Sequence, residues 1–196
     1  MRSWGIGWAV AVGLVAAGIF ISTGSSRADI EPANAAALAK IAEALEKGDA
    51  DKAKQMATAL AKKLDELNDV MHGFKPRPKG VGVGTKAGVV VPDGLELKFN
   101  AIGRDGITAK ELEREGKNIV EGAWMTAAIA EVAIASPPKK DKGPATKAKW
   151  KELSEGTIAG AKELAKAAKA MSVTEVKTAV VKINNSCNTC HMIFRK

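Results

Sequence analysis

The chain has 196 residues and a formal net charge of +8, from 30 Lys and Arg against 22 Asp and Glu. Alanine and lysine are plentiful, aromatics make up 4% and tyrosine is absent, which suits helices with small, lysine-rich faces. Basic and aromatic residues are not interleaved, which with the export signal below argues against nucleic acid and leaves an anionic membrane surface or an acidic protein as partner.

Arg2 is followed by an uncharged stretch, Ser3 to Ser26, whose apolar centre runs from Trp4 to Ile21. Ser26-Arg27-Ala28 then has the small-x-small pattern of a signal-peptide cleavage site, and polar sequence begins at Asp29. Residues 1–28 are therefore expected to be a signal peptide. An uncleaved membrane anchor is the alternative, since about 18 apolar residues is borderline for spanning a bilayer. Either way, residues 29–196 are expected on the far side of a bacterial inner membrane, in the periplasm. Without Arg2 and Arg27 the mature chain carries +6 and has 168 residues, enough for one domain with its own core.

Pro32 and the spacing of Leu38, Ile41 and Leu45 predict a short helix over 32–47. Gly48 and Asp49 read as a stop and an N-cap, and a second helix is expected to run to Met71 with Ala53, Met56, Leu60, Leu64, Leu67 and Met71 on one face. Together they suggest an antiparallel hairpin. Residues 72–107 read as an irregular insertion. It opens on the basic, proline-broken His72 to Gly80, passes a glycine-rich stretch, and holds a small β-hairpin in which Val89–Val91 pairs with Leu95, Leu97 and Phe99 across Pro92-Asp93-Gly94. An unbroken loop of that length implies function or mobility.

Thr108-Ala109-Lys110-Glu111 is a capping box, and the helix it starts runs to Pro137-Pro138 with Leu112, Ile119, Ala123, Ala127, Ala130 and Ile134 on its stripe. After a lysine-rich linker ending at Pro144, the next helix carries Trp150, Leu153, Thr157, Ala161, Leu164, Ala168 and Met171. Ser172-Val173-Thr174-Glu175 reads as a second capping box, so the last two helices are antiparallel neighbours. Trp124 and Trp150 read as core aromatics.

The terminal stripe is Val173, Val176, Val180, Ile183, Cys187, Cys190 and Phe194, and it ends in Cys187-Asn188-Thr189-Cys190-His191. This is the attachment motif of c-type haem: two thiols three residues apart reach the two vinyl groups of one porphyrin, and the next residue offers an imidazole to the iron. Cys187 and Cys190 are the only cysteines, so no other site competes for them. Zinc would need two further ligands, with His72 the only other histidine, and a redox dithiol should open a helix after a strand. One covalent haem c is expected, held by Cys187 and Cys190 with His191 as proximal iron ligand. Because both cysteines continue the core stripe, the haem should lie between helices near one end of a bundle.

The ending Cys187…His191, Phe194, Arg195, with Trp150 early in the preceding helix, resembles the cytochrome c′ group, the four-helix-bundle c-type cytochromes with a C-terminal motif. The resemblance is best over Ala145–Lys196. It implies an all-α four-helix bundle, here with an extra N-terminal helix and the long insertion, an open apolar face on the iron, and dimers in some relatives. Three distal arrangements stand. His72 is one candidate sixth ligand, with Lys75, Arg77 and Lys79 beside it for the propionates, although a simple up-down bundle would put it at the end opposite the motif. Met56, Met71 or Met125 is the second, and an open five-coordinate site the third. The function expected is one-electron transfer with an acidic redox partner; the alternative is binding or sensing of NO or CO. An enzyme is not expected, because no nucleophile triad or phosphate loop is present and only His72 offers distal acid–base chemistry.

Overall fold

The structure, a computed structural model, describes residues 29–84 and 86–195, all of them helix, turn or loop with no strand among them. The expected signal peptide lies outside the described residues.

Helix α1 (Pro32–Glu46) has Pro32 at its start and turns at Gly48, φ +79°, into α2 (Ala50–Ala61). There the Asp49 carboxylate accepts the Lys52 N–H at 3.1 Å. The expected single helix to Met71 is broken. After α2 the chain bends and resumes as α3 (Asn68–Met71), followed by a 3-10 turn at His72–Phe74. Leu64, Leu67 and Met71 still pack on the core, so the periodicity was that of two helical pieces folded around one centre.

Residues 75–94 form a loop knotted around one side chain. Arg77 donates to both carboxylate oxygens of Asp93, at 3.0 and 2.8 Å, and to the Gly84 and Val83 carbonyls, while Asp93 accepts the Val83 N–H. The expected β-hairpin is absent. Instead Leu95–Asp105 is helix α4, because the buried residues Leu95, Lys98, Phe99 and Ile102 follow a helical period and Leu97 faces solvent. Lys98 is buried by pairing with the equally buried Glu115 at 2.5 Å.

Helix α5 (Ala109–Ala135) opens with the expected capping box: Glu111 N–H donates to Thr108 Oγ1 at 3.2 Å and Thr108 N–H to the Glu111 carboxylate at 2.8 Å. Helix α6 (Lys147–Lys169) is capped by Thr146, and α7 (Val173–Phe194) carries the motif. The second expected capping box does not form, since no side-chain cap bond is made at Ser172. The α6–α7 corner is closed by backbone alone, with Ser172 N–H on the Ala167 carbonyl and Met171 in the left-handed region at φ +56°.

Helices α4 to α7 form an all-α four-helix bundle of alternating direction. Gly116 of α5 faces Ala168 of α6, while Trp150 at the other end of α6 donates to Ala133. Gly160 and Gly156 of α6 face Ile183 and Ser186 of α7. Asn184 of α7 donates to the Phe99 carbonyl of α4, and Lys177 reaches Arg104. The α1–α2 hairpin packs on α5 outside this set.

Candidate haem site

On an α-helix, positions i, i+3, i+4 and i+7 share a face, so Cys187, Cys190, His191 and Phe194 line one side of the last turns of α7. Cys187 packs against the hydrophobic core, Cys190 is half-buried and His191 is exposed. Two features hold this end in place. Trp150 makes an edge-to-face contact with Phe194, centroids 4.9 Å apart, and its indole N–H donates to the Ala133 carbonyl at 2.7 Å. One turn inward, Gly156 and Gly160 let α7 approach α6 closely. An added Cβ at either would lie 2.9 Å from Ser186 Oγ or Ile183 Cγ1. This small-x-x-x-small pair is a sequence signal left unread in the apolar stripe of α6.

Both thiols are held in the protonated form. Burial pushes the Cys187 thiol up, offset in part by a hydrogen bond with Thr157 and reinforced by the Glu96 carboxylate. Burial pushes Cys190 up to about 11, with Cys187 adding to it. A disulfide-exchanging dithiol needs a thiolate near neutral pH, which these surroundings disfavour. The donor set fits haem c. Cys187 and Cys190 would hold the vinyl carbons, and the imidazole of His191 is free on the flank of the helix.

The opposite wall follows from the shortness of α4. Its first residue, Leu95, stands beside Gly122, an added Cβ there lying 2.8 Å from Leu95 Cδ2. Beyond that level α5 runs on to Ala135, about 20 Å, with no α4 beside it. The 3-10 turn 72–74 enters here. It packs on α4, and an added Cβ at Gly73 would lie 3.0 Å from Ile129 of α5. Ile129 is one turn from Ala133, the partner of Trp150. His72 therefore stands at the same end as the motif, not the opposite one, because the broken helix and the knotted loop carry the chain back along α5. His72 as a residue is 4% exposed. Nε2 lies 3.3 Å from Asn68 Nδ2, and Nδ1 is buried without a partner.

The other candidates are placed differently. Met56, Met71 and Met125 are half-buried packing residues on the core. Arg77, expected near the propionates, has its guanidinium bound into the 75–94 loop. Lys75 and Lys79 make no ion pair among the described residues. Trp124 sits half-buried on α5 with its indole N–H unpartnered, whereas Trp150 adjoins the motif through Phe194.

A family model described as Cytochrome C′ matches residues 139–195, the α5–α6 linker, α6 and α7. Over that stretch the chain is cytochrome c′-like. The match supports a haem-binding c-type cytochrome with covalently attached haem c, and it leaves the first 138 residues unmatched. No curated protein and no solved structure matches the chain.

Proposed function

We propose that the protein is an exported one-electron carrier of the periplasm. The observation that carries the reading is that His72, buried and with Nδ1 unpartnered, stands at the same end of the bundle as the motif on α7. When bound, haem c supplies a ferric/ferrous couple. The protein's own part is to anchor it through Cys187 and Cys190, to offer His191 from the α7 side and His72 from the loop side, and to exclude water with Leu95, Phe99 and Trp150. With His191 and His72 both ligating, no position would remain for an exogenous ligand, which would suit electron exchange without bond making. The apolar stretch Trp4–Ile21 and the Ser26-Arg27-Ala28 site support export.

Absorption spectra of the oxidised and reduced protein, with and without carbon monoxide, test this. Low-spin bands indifferent to carbon monoxide are expected. A high-spin ferric spectrum that shifts with the gas would replace the carrier by a gas-binding or gas-sensing haem protein. His72→Ala should convert low spin to high spin, and an unchanged spectrum would remove His72 from the iron.

A further inference from the structure

The net charge is unevenly placed. Residues 139–151 hold six lysines and one aspartate, so this short stretch carries +5 of the chain's +8. Lys139, Lys140, Lys142 and Lys147 are exposed and make no ion pair among the described residues, whereas Lys149 and Lys151 are paired with Glu152 and Glu155. The one acid, Asp141, accepts the backbone N–H of Lys147 at 2.9 Å. The segment is held in shape: Lys142 and Ala145 exchange two backbone hydrogen bonds of 3.0 Å around Gly143, φ +56°. Lys147 and Lys149 also sit in the first turn of α6, which has no acid, where cations meet the positive end of the helix dipole. An anionic surface would relieve that repulsion.

The patch adjoins the motif. Trp150, in the same turn of α6, touches Phe194 of α7, and His191 and Met192, the latter 73% exposed, open onto solvent beside it. Resting on the one-electron reading above, we propose that the α5–α6 linker and the first turn of α6 form the docking face for an acidic electron-exchange protein. Lys139, Lys140, Lys142 and Lys147 steer the partner's carboxylates so that electrons pass at the exposed end of α7.

The test is stopped-flow oxidation of the reduced holoprotein by hexacyanoferrate(III), an anionic acceptor, and by tris(phenanthroline)cobalt(III), a cationic one. The variant K139E/K140E/K142E/K147E is compared with K52E/K54E/K62E/K63E, an equal charge change on and beside α2. At low ionic strength the linker variant should lose about tenfold in rate with hexacyanoferrate, gain with the cobalt complex and lose its salt dependence, while the α2 variant changes less than about twofold. Equal effects of the two variants would mean that net charge alone matters and would overturn the docking face. Co-sedimentation of the parent with phosphatidylglycerol vesicles, abolished in the linker variant, would overturn it in favour of a membrane surface. A parent that reacts with neither acceptor would instead overturn the electron-carrier reading.

Discussion

Trp150→Ala should be the most damaging single change at the motif end. The indole is 8% exposed, touches Phe194 and donates to Ala133. Burying about 200 Å² of ring at about 25 cal/mol per Å² is worth about 5 kcal/mol, an upper bound because the unfolded chain already shelters part of that surface. Adding about 1 kcal/mol for the hydrogen bond and allowing partial collapse of the cavity, the expected loss is 3–5 kcal/mol, roughly 10 °C or more in Tm for a domain of this size. Trp150→Phe keeps most of the ring contact and loses the N–H bond, so about 1–2 kcal/mol is expected. Urea titration of the holoprotein, followed by far-ultraviolet circular dichroism and by the haem Soret band, checks both. The alanine variant should also admit solvent to the last turn of α7, so that its Soret change precedes the loss of helix. A Trp150→Ala protein within about 1 kcal/mol of the parent, with coincident transitions, would refute the placement of Trp150 as the clamp on this turn.

Three further outcomes follow from the packing. Gly156→Ala should be neutral or stabilising by up to about 1 kcal/mol, because only the rotatable hydroxyl of Ser186 must move. Gly160→Ala should cost about 1–2 kcal/mol, because Cγ1 and the backbone N of the buried Ile183 are in the way; equal denaturation midpoints for the two alanine variants would refute the close approach. Lys98→Met should cost about 3 kcal/mol by leaving Glu115 buried with only Arg114, and Lys98→Met with Glu115→Leu should recover most of it in the same denaturation assay. The hydrogen bonds from Arg77, helped by that of Val83, hold Asp93 below the usual carboxylate range. Its contribution is therefore complete above the unfolded value near 4 and is lost as pH falls through the lower folded value. Asp93→Asn should cost about 2 kcal/mol at pH 7, and its gap to the parent should close below about pH 4; a gap independent of pH would refute the ionic clamp.

The half of the chain with long helices was readable because its signals are local. The Thr108 capping box, the Pro137-Pro138 stop and the unbroken register from Val173 to Phe194 each lie within a few turns of what they determine. Helix α4 was misread because Leu95, Leu97 and Phe99 alternate like a strand, while Lys98, the residue that completes a helical face, is polar and is buried only by Glu115, a partner that sequence spacing does not reveal. The break after α2 was hidden for a related reason, since the same leucines face the core whether the backbone runs straight or bends. Of the site, Cys187, Cys190 and His191 were legible as a contiguous motif. The end of the bundle at which His72 stands depends on how residues 75–94 return along α5, and that return is fixed by Arg77 and Asp93, sixteen residues apart.

Because α4 stops level with Gly122, one corner of the bundle is finished by a folded loop instead of a fourth long rod. Insertions or exchanges in that loop would change the cover at this corner without repacking α5, α6 and α7, the last of which carries the motif. The architecture thus separates a rigid helical anchor from a replaceable cover, and the cover is the natural place to graft a different ligand or a gas channel onto the same scaffold.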